Sequence, residues 1–167
     1  NLFEGDLGIS WVSRQPVLSE LREALGNTLL LVSVGTVAAI VLGVATGVVA
    51  AWWRGTFLEK GTTLTGMTFY SMPTQWLGLI LILVFSTTLG WFPSGGMEST
   101  GLNAEELFLG IEPSTWDRVS DMVSHIVLPA STLGLVLYGE YTLFTRSALL
   151  ETMGEDYILT AKAKGLS

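Results

Sequence analysis

An uncharged apolar run, Thr28–Ala51, is the feature that most constrains the fold of this chain. At about 1.5 Å per residue it reaches roughly 36 Å as a helix, enough to cross a bilayer with some tilt. Small residues recur at every fourth position along it, and such lines let helix backbones approach closely. These residues are Gly35, Ala39, Gly43 and Gly47. The run over 28–51 predicts a spanning helix whose small residues pack on another helix or, alternatively, line a pore.

Two further apolar stretches predict two more spanning helices, over 63–89 and 122–145. No charged residue occurs between Lys60 and Glu98. Of all residues, 49% are hydrophobic and only 14% are charged, which is too apolar for an ordinary soluble domain. We therefore expect an all-α polytopic membrane protein whose helices are surrounded by a lipid bilayer.

Polar residues interrupt the second and third apolar stretches. Pro73 lies near the middle of the second, where a proline removes a backbone hydrogen bond and kinks a helix. Polar groups inside membrane segments mark transport pathways. The candidate translocation-path residues are Tyr70, Pro73, Gln75 and Glu140. The alternatives are a packing kink at Pro73 and a Glu140 carboxylate that bonds to neighbouring groups or reaches water.

Residues 1–27 predict an amphipathic segment that precedes the first spanning helix. Pro16 can open a short helix, and the apolar residues after it share one helical face. Asn27 or Thr28 can then cap the spanning helix that follows. We expect this segment to lie on the membrane surface.

Residues 90–121 predict a polar, acidic connection between the second and third spans. Short helices are expected around 104–109 and 114–123. Glu105 and Glu106 are a candidate cation site, but a solvated acidic face is far commoner for such a pair.

The end of the chain, 151–167, predicts a short helix after the third span. Gly154 can break the preceding helix, Asp156 suits the start of a new one, and Gly165 is placed to stop it. The helix carries a narrow apolar stripe formed by Tyr157, Ile158 and Ala161. This pattern indicates an amphipathic helix that presents a face to a partner or, equally, one that lies in the lipid headgroups.

Several chemical functions find no support in the sequence. The net charge of −7 argues against a nucleic-acid partner, and the absence of cysteine removes thiolate chemistry. The sequence contains no phosphate-binding glycine-rich loop with a lysine and no nucleophile–histidine pair. His125 is the single histidine, and we interpret it as structural.

The distribution of cations predicts the orientation in the membrane. Five Lys and Arg residues lie in the shorter ranges 52–62 and 146–167, against three in the longer ranges 1–27 and 90–121. The positive-inside rule therefore places the tail in the cytoplasm and the acidic connection outside.

The tail resembles a known protein family in the letters DYILTAKAKGLS of residues 156–167. It is similar to the start of the cytoplasmic loop of binding-protein-dependent ABC transporter permeases, and more narrowly of their dipeptide, oligopeptide and nickel branch. Ser71–Phe85 and His125–Ala130 resemble the same branch. The resemblance implies that the tail helix is a coupling helix that docks on an ATP-binding subunit. The residues assigned to that contact are Asp156, Tyr157, Leu159, Thr160, Ala161, Lys162, Ala163, Lys164 and Gly165. Leu159 departs from the Arg or Glu usual in the family, which argues against an ion pair there.

This resemblance implies an internal fragment of a six-helix permease domain in the cytoplasmic membrane, with one helix before Asn1 and two after Ser167. The implied function is ATP-driven import of peptides, or of a related solute such as nickel. The implied partners are ABC ATP-binding subunits, a homologous second permease subunit and an extracytoplasmic substrate-binding protein that faces residues 1–27 and 90–121. No cofactor is expected, and ATP hydrolysis is expected on a separate polypeptide.

Two functions from other classes stay open at this point. One is an ion-coupled secondary carrier, in which Glu140 is the coupling group. The other is a membrane scaffold that transports nothing.

Overall fold

The computed structural model describes residues 7–99, 110 and 112–165, apart from the side chains of Leu159 and Lys162. Within these ranges the chain forms five helices: α1 (Val17–Trp52), α2 (Phe57–Ser71), α3 (Thr74–Leu81), α4 (Thr115–Met153) and α5 (Asp156–Ala163). α3 continues directly as a π-helical segment, Ile82–Thr88. The one extended pairing in the described ranges is an isolated bridge between Ile9 and Pro16. The predicted all-α class is therefore confirmed.

Two of the described helices, α1 and α4, are long and apolar enough to cross a membrane. α2 and α3, with its π-helical extension, pass the same test together as a bent pair, which makes up to three spans if the pair is one span. This architecture agrees with the predicted polytopic membrane protein.

α1 differs from the prediction because it is one continuous helix of 36 residues. The amphipathic segment after Pro16 and the apolar run from Thr28 belong to the same helix. The Thr28 hydroxyl donates to the Ala24 carbonyl oxygen at 2.7 Å, a bond within the helix, and so does not cap a new one. The expected boundary between 1–27 and 28–51 is therefore absent, since the backbone ladder continues through it.

The second predicted span, 63–89, is broken at Pro73, and the axes of the two pieces differ by 101°. α2 ends at Ser71, Met72 is extended (φ −81°, ψ 128°), and Pro73 precedes the first residue of α3. A proline lacks the N–H that would continue the ladder and pushes the residue before it out of the helical region. The expected kink is thus a complete break. α2 also begins at Phe57, before the predicted span.

α4 is longer than the third predicted span, 122–145, because it begins at Thr115 and continues to Met153. Ser114 and Asp117 form a capping box at its start: the Asp117 N–H donates to the Ser114 hydroxyl at 3.2 Å and the Ser114 N–H to the Asp117 carboxylate at 3.1 Å. The short helix expected around 114–123 is therefore the first part of α4. The helix expected around 104–109, with Glu105 and Glu106, lies outside the described residues.

α1 packs against α4 along the predicted line of small residues, and all four of these residues are buried. A Cβ atom placed on Gly43 would lie 2.6 Å from the Tyr141 Cβ, and one placed on Gly47 would lie 2.8 Å from the Thr142 carbonyl oxygen. The Thr142 side chain is fully buried, and its hydroxyl lies 3.0 Å from that of Thr46 on α1. The expected close approach of helix backbones is confirmed.

We predict that Gly47→Ala destabilises the full-length protein by about 1–3 kcal/mol, because the new methyl group overlaps the α4 backbone. Gly26→Ala is the matched control on the same helix, since a Cβ there meets nothing within 4 Å. It should leave stability unchanged or raise it by about 0.5–1 kcal/mol, through the higher helix propensity of alanine. Thermal unfolding in detergent measures both. Equal effects of the two substitutions would contradict the packing described here.

Candidate functional site

The chain turns between α4 and α5 at Gly154 and Glu155. The Gly154 N–H donates to the Glu151 carbonyl oxygen at 3.0 Å and the Glu155 N–H to that of Thr152 at 3.2 Å. These bonds close tighter turns than an α-helix makes, so the α4 ladder ends here. Gly154 keeps a helical conformation (φ −89°, ψ −9°), and the break therefore does not use the conformational freedom of glycine. α5 begins at Asp156, where a carboxylate favours the positive end of the helix.

α5 ends as the sequence predicts. The Lys164 N–H donates to the carbonyl oxygens of Thr160 (3.1 Å) and Ala161 (3.2 Å), and Gly165 follows with φ +82°. Glycine adopts this left-handed conformation without the steric cost that a Cβ would add. The predicted role of Gly165 as a helix stop is confirmed.

Most of the candidate coupling residues with described side chains face solvent. Ala161, together with Ile158 next to it in space, is half-buried, whereas the Tyr157 side chain is 60% exposed. The predicted stripe is therefore split, with only its Ile158 side covered. The exposed candidates are Asp156, Tyr157, Thr160, Ala163, Lys164 and Gly165.

α5 stands apart from the other described helices. The extensive helix–helix interfaces of the described residues join α1 with α4, α2 with α4, α1 with α2, and α3 with α4. α5 contributes to none of these four interfaces. Within the described residues α5 is therefore mostly exposed, and it is attached to α4 by a two-residue turn.

A cavity of about 490 Å³ lies beside the break between α2 and α3. Gln75 lines it from α3, and His125, Pro129 and Thr132 line it from α4. No side chain caps the start of α3 in the structure. At membrane depth, backbone groups without helical partners are tolerated where they are buried in protein or line a water-filled space. The break and the cavity therefore occur together for a physical reason.

The four candidate path residues are not gathered in one place. Gln75 lines the cavity at the break, and Pro73 forms the break itself. Tyr70, at the end of α2, is 58% exposed, and its backbone N–H lies against Gly139 of α4. Glu140 is exposed and does not line the cavity, and its carboxylate makes no hydrogen bond or ion pair with the other described residues.

His125 is buried, with 5% of its surface exposed. Its Nδ1 atom lies 2.8 Å from the Asp121 carbonyl oxygen one turn earlier in α4. The Asp121 carboxylate in turn accepts hydrogen bonds from the backbone N–H and the hydroxyl of Ser99, the first of these at 2.7 Å. These contacts tie the segment before residue 100 to the start of α4, and they agree with the structural interpretation of His125.

The sequence interpretation missed an ion pair between Glu59 of α2 and Arg146 of α4. The Arg146 guanidinium donates to Glu59 Oε1, and Glu59 Oε2 accepts from the Gly55 N–H at 2.6 Å. Glu59 is the one acidic residue between Glu23 and Glu98. An acidic residue isolated beside an apolar segment was the sequence signal that Glu59 pairs with another side chain. It did not identify the partner, which is 87 positions away.

Comparison with known proteins gives a consistent set of relatives. A family model described as the binding-protein-dependent transport system inner membrane component matches residues 39–167. The chain is 39% identical over 166 residues to the oligopeptide transport system permease protein AppB of Bacillus subtilis, covering 99% of this chain and 48% of that protein. It is 38% identical over 175 residues to the di/tripeptide transport system permease protein DppB of Pseudomonas aeruginosa, covering 100% and 51%. It is 35% identical over 167 residues to the glutathione transport system permease protein GsiC of Escherichia coli, covering 100% and 47%. The chain thus spans about half the length of the curated relatives it matches.

We predict that a cysteine at position 75 reacts with a membrane-impermeant maleimide, because Gln75 lines the cavity at the break. The chain has no cysteine of its own, so a single introduced thiol reports on its own site. Leu77→Cys is the matched control two residues away, where the native side chain is only 4% exposed. In the full-length protein in vesicles, Gln75→Cys should be labelled faster than Leu77→Cys. Equal labelling rates would show that water does not enter at the break.

Proposed function

The chain belongs to the family of binding-protein-dependent transport system inner membrane components, and on that premise we propose that it is part of the permease subunit of an ATP-driven ABC importer. The proposed cargo is a peptide, with a related solute such as nickel as the second choice. The relatives are permease proteins of oligopeptide, di/tripeptide and glutathione transport systems, which favours the peptide.

The exposed position of α5 is the observation that carries this proposal. An importer that draws energy from a separate ATPase needs a surface on which that ATPase acts. α5 offers one, because six of the seven candidate coupling residues with described side chains are exposed and the helix joins α4 through a turn of two residues. The candidate coupling residues thus form a docking surface for an ATP-binding subunit.

α4 connects this docking surface to the rest of the described structure. It is one helix of 39 residues and packs against α1, α2 and α3. Closure of the ATP-binding subunits on ATP displaces α5, the displacement moves α4, and α4 reorients the helices packed on it. The membrane domain then alternates between outward-facing and inward-facing states.

The proposed assembly has three further components. A second, homologous permease subunit completes the membrane part, and ATP is hydrolysed on the ATP-binding subunits, so the permease itself is not an enzyme. A loaded binding protein delivers cargo from outside to the side of residues 1–27 and 90–121. The distribution of cations supports this orientation.

We predict that Gly165→Asp, or Ala161→Glu, abolishes association with the ATP-binding subunit without unfolding the membrane part. Asp at position 165 strains a backbone at φ +82°, and Glu at position 161 puts a charge on the half-buried side of α5. Gly8→Asp is the matched control, because Gly8 also has a positive φ (+74°), a Cβ there meets nothing within 4 Å, and it lies in the other predicted compartment. Co-purification with the ATP-binding subunit measures the effect. Wild-type recovery of the complex with both α5 variants would refute the docking surface.

Transport by the complete system tests the function itself. Liposomes containing the full-length permease pair and ATP-binding subunits should take up labelled peptide with ATP and loaded binding protein, and not with a hydrolysis-deficient ATPase. Uptake that continues without any ATPase and is lost on Glu140→Gln would instead identify an ion-coupled carrier. A complex that moves no solute under any of these conditions would be a scaffold.

A further inference from the structure

The ion pair between Glu59 and Arg146 fastens the first turn of α2 to the part of α4 nearest α5. The Glu59 side chain is only 12% exposed and that of Arg146 only 28%. Both Glu59 oxygens are engaged, one by the guanidinium and the other by the Gly55 N–H. The Thr56 hydroxyl caps the same turn by accepting from the Glu59 N–H at 3.5 Å. Glu59 is thus held in a fixed position that receives Arg146.

A second contact joins the same two helices farther along α2. A Cβ atom placed on Gly139 would lie 2.5 Å from the Gly66 carbonyl oxygen and 2.7 Å from the Tyr70 N atom. Backbones this close leave no room for α2 to slide along α4. Glu59 precedes Gly66 by seven residues, about 10 Å of helix. α2 is therefore held to α4 at a close backbone contact and, separately, at a polar contact on the side of α5.

Two polar groups of these helices, one of them in the polar contact, are unsatisfied within the described residues. Arg146 Nε and Thr63 Oγ1 are buried without a hydrogen-bond partner among the described residues. Thr63 follows Glu59 by four residues, so the two lie on the same face of α2. Buried polar groups without partners cost free energy, so the hydrogen bonds that Glu59 does make are what hold the two helices together here.

We propose that Glu59 and Arg146 are positioning residues that pass the displacement of α5 on to α2, and through α2 to the break at Pro73; this inference rests on the proposed function. α4 is continuous from Arg146 to Met153, so a displaced α5 moves the guanidinium with it. The ion pair carries the first turn of α2 along. Because α2 is held to α4 at Gly66 as well, α2 follows the movement of α4, and its other end changes its angle to α3 at the break.

The test uses Glu59→Gln, Arg146→Gln and the exchanged pair Glu59→Arg with Arg146→Glu, each in the full-length complex in liposomes. Both single substitutions should lower the number of peptides moved per ATP hydrolysed by about five-fold or more. They should leave ATP-binding-subunit association at the wild-type level. The exchanged pair should recover part of the ratio, because it restores opposite charges while losing the bond from Gly55. Glu23→Gln and Lys60→Gln remove one exposed acid and one exposed cation and should leave the ratio unchanged.

A conformational measurement separates transmission from stability. Spin labels on cysteines at Phe57 of α2 and Leu79 of α3, both exposed, report the distance across the break. ATP should shift this distance in the otherwise native complex and should not shift it when Glu59→Gln is present, at equal thermal stability. A wild-type transport ratio and a wild-type shift in the single variants would overturn the inference. So would an exchanged pair that performs no better than either single substitution. Failure of the native complex to couple ATP to uptake would instead overturn the proposed function.

Discussion

The backbone contact between α1 and α4 is the constraint on which the rest of this structure depends. In a membrane, apolar side chains gain nothing by leaving lipid for another helix, so association relies on close packing and on hydrogen bonds. Gly43 and Gly47 bring the backbones together, and the Thr46 and Thr142 hydroxyls meet at 3.0 Å between them. The Thr142 side chain also contacts Gly66 of α2 across the same space. Three helices thus converge on one fully buried residue, and α4 is their common neighbour.

Because of this central position, α4 connects the acidic connection near its start with α5 after its end. Near its start, the Asp121 carboxylate binds Ser99 and thereby holds the end of the described part of the acidic connection. Past its last residue, Met153, a short turn leads to the exposed α5. A single helix without an internal break transmits displacement between these ends, although Pro129 lies within it. In the proposed importer, binding protein and ATPase thus act on opposite ends of one element.

The break between α2 and α3 divides the second predicted span into two pieces that differ in direction. The bend of 101° coincides with the cavity that Gln75 and His125 line, and α3 returns to α4 where Gly78 faces Thr132. Small residues therefore hold α2 and α3 to α4 on both sides of the break. The segment between these attachments, around Pro73, is where a movement of α2 relative to α3 would be taken up.

The local patterns of the sequence predicted the all-α class, the line of small residues by which α1 packs on another helix, and the stop of α5 at Gly165. Each of these features depends on residues within a few positions of one another, so each can be predicted from the sequence. The same patterns misplaced the starts of α1 and α4, because a helix continues through a weak boundary such as Asn27–Thr28 unless something interrupts its ladder. Only the tertiary structure decided the angle at Pro73, since that angle depends on what α2 and α3 pack against. It also decided the pairing of Glu59 with Arg146, because two side chains 87 positions apart meet only when their helices are brought together.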